Sequence, residues 1–148
     1  MSRQHAVVDT TALISFFNGI FKRPSQISLD ATRLLQDAFR SQSEVLLSIP
    51  SIVFVEIFDK WIVDDEFKAM FVSEVLELIF QCPNIEIKPI DEEVLEQFVS
   101  LNNSTLDLEN HDKIILASAM MLEWPLITSD SKIIKYVNKN RVIPGIIR

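Results

Sequence analysis

HAVVDTTALI, residues 5–14, is the stretch on which the fold turns. His5 to Asp9 is a short, largely β-branched run closed by an acid, and a helical pattern follows from 11 to 18. A strand that passes directly into a helix is half of a βα unit. The same alternation recurs along the chain, with strands expected at Val45–Ile49, Ile85–Ile90, Leu126–Thr128 and Arg141–Ile143. Between them lie helical segments near 28–41, 51–63, 65–81, 92–102, 110–123 and 131–138. This order predicts an α/β fold built of βα units on a mainly parallel sheet of four or five strands.

Local punctuation supports these divisions. Pro50 stands where a strand gives way to a helix, Pro83 and Asn84 end the long segment before the third strand, and Asp91 is placed to cap EEVLEQF. Pro125 stops the helix through Met120 and Met121 by biasing Trp124 away from helical angles. The polar run Asn102–Thr105 and the segment FKRPS at 21–25 read as surface loops. No repeat or linker divides the chain, so residues 1–148 are expected to form one domain.

Composition narrows the function classes. With 148 residues, 48% of them hydrophobic and only 2 Gly, the chain can bury a substantial core and is not of disordered or collagen-like type. The formal charge of −7 disfavours general attraction to polyphosphate. That charge is unevenly spread: residues 131–148 carry Lys132, Lys135, Lys139, Arg141 and Arg148 and no acid, giving the tail +5 and leaving −12 for the rest. Nucleic-acid contact should therefore lean on the tail. The lone Cys82 reads as a small buried hydrophobe in a reducing compartment. Asp9 and the threonines beside it interrupt any signal-like apolar stretch, and no apolar run approaches the roughly 18 residues a membrane span needs, so a cytoplasmic protein without membrane contact is expected.

Four acids call for explanation beyond folding. Asp9 and Asp130 each end a strand, where ligands gather in parallel α/β sheets, although either could simply cap the next helix. Asp112 shares a helical face with Ile115, Leu116 and Ala119. Burying a lone carboxylate there costs several kcal/mol unless it sits in the exposed first turn, is paired or meets a cation. Glu56 is the one acid in IPSIVFVEIF (49–58), with an exposed i, i+4 pair to Lys60 as its ordinary explanation. Gathered at one rim, the four would repel one another, and a hard cation such as Mg²⁺ or Mn²⁺ would relieve them. Zinc fits poorly, since one Cys and two separated His offer no usual ligand spacing.

Taken in order, VVDTTALI with Asp9, IPSIVFVEIF with Glu56, HDKIILASAM with Asp112 and PLITSD with Asp130 resemble a PIN-domain ribonuclease, in particular the small VapC-like toxins of toxin–antitoxin pairs. The resemblance spans nearly the whole chain. It implies a PIN-like three-layer α/β/α fold and a divalent-metal-dependent endoribonuclease in which Asp9, Glu56, Asp112 and Asp130 are the catalytic and metal-binding residues, with Mg²⁺ or Mn²⁺ as cofactor. Thr11 and Thr128 take supporting positions that would orient carboxylates or water. RNA is the implied substrate and an antitoxin protein an implied partner. Where such proteins often carry a glycine before the PLIT segment, this chain has Glu123 and Trp124, so a different helix exit is expected.

Lys132, Lys135, Lys113, Lys22 and Arg23 are the basic groups available to hold a substrate. The competing function is a catalytically weak or inactive PIN-fold binding module, motivated by Phe58, Trp61, Phe67 and Phe71, which could form a homodimer interface or an antitoxin groove rather than core. Other families fit less well. A dehalogenase-like phosphatase would want an acid where Thr11 stands, a receiver domain finds only a partial match at Ile90 and Asp91, and the chain has no nucleophile elbow, P-loop or dinucleotide fingerprint.

Overall fold

The computed structural model describes residues 3–40, 44–101, 108–140 and 145–148. Five strands form one sheet: β1 (His5–Val8), β2 (Leu46–Pro50), β3 (Ile85–Lys88), β4 (Leu126–Ile127) and β5 (Ile146–Ile147). Their spatial order is β3-β2-β1-β4-β5 and every pairing is parallel. The helices α1 (Thr10–Phe16), α2 (Asn18–Phe21), α3 (Leu29–Phe39), α4 (Ser51–Lys60), α5 (Asp65–Phe71), α6 (Glu77–Gln81), α7 (Glu92–Ser100), α8 (Asn110–Leu122) and α9 (Ser131–Asn140) flank it. This is the expected helix-flanked parallel sheet, with five strands.

The strand order has a direct consequence for function. The chain runs outward from β1 to β2 and β3, then returns to lay β4 on the other side of β1. The reversal makes the β1/β4 boundary a topological switch point, and the carboxyl ends of those two strands open onto a crevice there. Asp9 follows β1 and Asp130 lies just beyond β4. Sequence places the two acids at the ends of strands; topology places those strands side by side.

Apolar burial fixes this frame. Val7, Val8, Leu47, Ile49, Leu126 and Ile127 of the central strands are at most 1% exposed, as strands covered on both faces must be. Helix α8 packs on β1 and β2 and against α4, with Ile115 and Leu116 buried, so Asp112 and Glu56 ride on two helices held together. Phe71 is fully buried, whereas Phe58, Trp61 and Phe67 are partly buried around the same aromatic cluster with Phe21. Phe71 is core, whereas Trp61 and Phe67 also line an open groove. Cys82 is buried, and burial pushes its thiol up, consistent with an inert packing role.

Several boundaries differ from expectation for identifiable reasons. The helix expected over 11–18 divides into α1 and α2 at Phe17, whose ψ of 37° leaves the helical region. Strand β3 stops at Lys88 rather than Ile90, because Pro89 has no N–H for the ladder. The helical stretch 65–81 forms, with a π turn at Val72–Leu76 between α5 and α6. The fifth strand is Ile146–Ile147, seated on β4; the expected strand Arg141–Ile143 and the expected loop Asn102–Thr105 lie outside the described residues.

The exit of α8 needs no glycine. Glu123 adopts φ 58°, ψ 34°, the left-handed conformation that glycine would take, while its N–H and that of Trp124 reach back to the carbonyls of Met120 and Ala119. These two bonds make a Schellman cap. The expected change of exit geometry is therefore absent: the usual cap forms with a residue that pays about 1–2 kcal/mol for its Cβ.

Candidate active site

Asp9 is the most enclosed of the four acids, at 1% exposure. It caps α1, as its position predicts, with Oδ1 accepting from Ala12 N at 2.8 Å and from Thr11 Oγ1 at 2.9 Å. Its other oxygen, Oδ2, accepts from Thr128 Oγ1. Burial raises the Asp9 carboxyl to about 7, and the nearby Asp130 charge adds to the rise, while Thr128, Ala12 and Thr11 oppose it by donating hydrogen bonds. Capping and a special electrostatic setting thus coexist in one side chain.

Thr128 joins the two strand-end acids. While its hydroxyl donates to Asp9, the same oxygen accepts from Asp130 N at 3.0 Å. Asp130 in turn caps the start of α9, its Oδ1 accepting from Lys132 N at 2.8 Å. Thr11 is tied to this strand end too, because Ser129 Oγ donates to Thr11 Oγ1 at 3.3 Å. Both threonines therefore donate to the Asp9 carboxylate, Thr128 across the ends of β1 and β4 and Thr11 locally from the first turn of α1.

Asp112 lies in the first turn of α8, where its Oδ2 accepts from Glu109 N at 3.3 Å in a capping box. First-turn placement does not leave it in water: it is only 8% exposed. Burial raises its carboxyl, Asp130 and Glu56 push it further up, and His111 and the Glu109 N–H pull it back. Asp112 consequently senses an acid on either side of it.

Glu56 completes the series from α4. Thr10 Oγ1 donates to its Oε2 at 2.6 Å, and His111 Nε2 is 3.0 Å from its Oε1. The expected Lys60 pair exists only at 4.0 Å; Lys60 sits closer to Glu109, at 3.1 Å, and that contact holds Glu109 below the usual carboxylate range. His111 is the bridge between the helices, since Nε2 also lies 3.3 Å from Asp112 Oδ1 while Nδ1 lies 3.2 Å from Glu109.

The four acids thus stand as a series, from Asp9 through Asp130 and Asp112 to Glu56, rather than as a closed cage. Among the described residues, no group of three or more His, Cys, Asp and Glu is arranged so that it could hold a metal ion by itself. An all-oxygen donor set under mutual repulsion nevertheless suits Mg²⁺ or Mn²⁺, and Mg²⁺ commonly binds through one or two carboxylates while keeping several waters. Asp9 and Asp130, linked through one hydroxyl at the switch point, fit that requirement best.

Sequence reasoning passed over Thr10, His111, Glu109 and Ser129. His111 immediately precedes Asp112 and lies two residues after Glu109, but its link to Glu56 exists only once α4 and α8 pack together. Of the basic candidates, Lys132 contributes to lowering Glu109, though less than Lys60 and His111 do. Lys22 and Arg23 line a separate groove with Trp61, over whose ring the Arg23 guanidinium lies at 4.5 Å.

No family profile and no curated protein matches the chain. Solved structures do. A chain of FitAcB from Neisseria gonorrhoeae superposes with a TM-score of 0.62 at 16% identity, over 97% of this chain and 96% of that one. A chain of VapBC2 from Rickettsia felis, bound to a DNA fragment from its promoter, gives 0.61 at 15% identity, over 98% of both. The fold is PIN-like. A toxin–antitoxin complex from Klebsiella pneumoniae extends the agreement at a TM-score of 0.57 and 23% identity, over 97% of this chain and 96% of that one. The superpositions cover nearly all of this chain, so the likeness is one of the whole fold.

Proposed function

We propose that the protein is a divalent-metal-dependent endoribonuclease, hydrolysing RNA phosphodiester bonds in the cytoplasm as the toxin of a toxin–antitoxin pair. One observation carries the chemistry: Thr128 ties Asp9 to Asp130 at the switch point, where burial and the Asp130 charge leave Asp9 poorly compensated. When bound, Mg²⁺ or Mn²⁺ supplies neutralisation of the scissile phosphate and acidification of a coordinated water. Asp9 and Asp130 supply the direct carboxylate ligands. Thr11 and Thr128 fix the Asp9 carboxylate in place, and Asp112 and Glu56, held by His111, orient water at the far side of the crevice.

The toxin assignment is supported by the similar folds, one of them from a toxin–antitoxin complex and another from VapBC2 on promoter DNA. An antitoxin protein is the implied partner. Membrane association has no support, as no helix among the described residues is long and apolar enough to cross a bilayer.

The test uses purified protein and a panel of single-stranded and structured RNAs with Mg²⁺ or Mn²⁺. Cleavage is expected, abolished by chelation and reduced more than about 100-fold in Asp9→Asn, which keeps the α1 cap and remains folded. Equal cleavage by wild type and Asp9→Asn rejects the assignment.

A further inference from the structure

Beside the acid rim lies an open groove of opposite charge. It is lined by Ser129, Ser131, Lys135, Asn138, Lys139 and Arg148, together with Gln26 and Ile134, and encloses about 740 Å³. Helix α9 builds its main wall. Ile133, Tyr136 and Val137 turn into the core, so Ser131, Lys135, Asn138 and Lys139, spaced four, three and one residues apart, are left exposed to the groove. Arg148 comes from the far side, carried by β5, and the Arg148 carbonyl accepts from Ser28 N at 3.2 Å, anchoring that end of the chain.

Three features define what this groove suits. Its described lining holds three cations and no Asp or Glu, in a chain whose net charge is −7. Its remaining polar groups are hydroxyls and amides that can donate to phosphate oxygens. No aromatic ring stands among the described lining residues, so the groove has no platform for stacking bases. Charge and donors without rings make a site for a backbone.

Ser129 connects the groove to the acids. It forms part of the groove wall, stands next to Asp130 and donates to Thr11, which itself donates to Asp9. Along α9, Lys135 lies about 6 Å and Lys139 about 12 Å beyond Ser131, a row leading away from Asp130. Resting on the ribonuclease reading above, we infer that this groove is the track for the RNA strand on one side of the scissile bond, with Lys135, Lys139 and Arg148 holding successive phosphates. It grips single-stranded RNA through its backbone and contributes no base preference.

Binding in the absence of metal separates this inference from the chemistry. Fluorescently labelled single-stranded RNAs, one A-rich and one U-rich, are titrated in chelator over a range of salt concentrations. The proteins are wild type, Lys135→Gln/Lys139→Gln and the control Arg33→Gln/Lys68→Gln, which alters two exposed basic residues outside the groove. The groove variant should bind both RNAs more weakly by the same factor, and its plot of log K against log salt should be shallower by about 1.4, the loss of two single-strand phosphate contacts. The control should match wild type. In the cleavage assay, the groove variant should raise KM and leave kcat unchanged.

An unchanged salt slope, or an equal loss in the control, overturns the track even if RNA is still cleaved. Lysine-dependent binding without cleavage leaves the track standing and sinks the hydrolytic reading instead. Tighter lysine-dependent binding of a poly-glutamate peptide than of RNA overturns the choice of occupant, since an acidic polypeptide would then be the better fit.

Discussion

The two ends of the acid series treat their carboxylates differently. At the Glu56 end, a side chain that is 14% exposed meets His111 at 3.0 Å and Lys60 at 4.0 Å, and a threonine hydroxyl besides. At the Asp9 end, a carboxylate at 1% exposure meets two threonine hydroxyls and one backbone N–H, with the acid Asp130 close by. Folding has supplied basic partners to one end and only neutral donors to the other. The contrast locates where a cation has most to offer, because dipoles alone leave the Asp9 carboxyl raised to about 7.

The largest expected effect is on stability at the Asp9 end. Its folded pKa lies above the unfolded value of 3.8, so between about pH 4 and pH 7 the native state binds more protons than the unfolded one, and metal-free stability falls as pH rises. Above pH 7 the loss is complete and the profile flattens. Asp9→Asn removes this penalty and should stabilise the metal-free protein at pH 8 by up to about 4 kcal/mol, while leaving it near wild type at pH 4. Urea denaturation at both pH values measures the difference. An unchanged wild-type profile from pH 4 to 8 breaks the contrast between the two ends.

Thr128→Val should have the next largest effect. It removes a donor to Asp9 and an acceptor for Asp130 N in a fully buried setting, at a cost of about 1–3 kcal/mol. The Asp9 carboxyl should also rise further, which carbon-detected NMR titration reads directly. A stability within error of wild type would show that the bridge does not hold the strand ends together.

Glu56→Gln should do least. Gln keeps an amide oxygen for the Thr10 hydroxyl and loses only the charged contact to His111, so stability should fall by no more than about 1 kcal/mol. Removing its charge should lower the Asp112 carboxyl, because Glu56 is one of the two acids that raise it. A melting series sharpens the comparison, and a loss as large as that of Thr128→Val would make the two ends equivalent.

How much of this could be read from sequence depends on the range of the interaction. Asp9 as the Ala12 cap and Asp91 as the Val94 cap are local, and HAVVD and PLITSD announce strands ending in acids. Lys60 was the visible neighbour of Glu56, four residues away, whereas the closer contacts come from Thr10 and His111, 46 and 55 residues away in sequence. These appear only after α1, α4 and α8 pack. The β1/β4 juxtaposition was equally hidden, since adjacency of the first and fourth strands is a property of topology. Glu123 misled in the opposite direction: its identity suggested a different helix exit, yet it adopts the left-handed conformation that a glycine would take.

Anomalous diffraction from a crystal soaked in Mn²⁺ tests the central assignment most directly. A manganese peak between the carboxylates of Asp9 and Asp130, lost in Asp9→Asn crystals soaked identically, is the result this account predicts. No peak at that crevice, or one that survives the substitution unchanged, contradicts it.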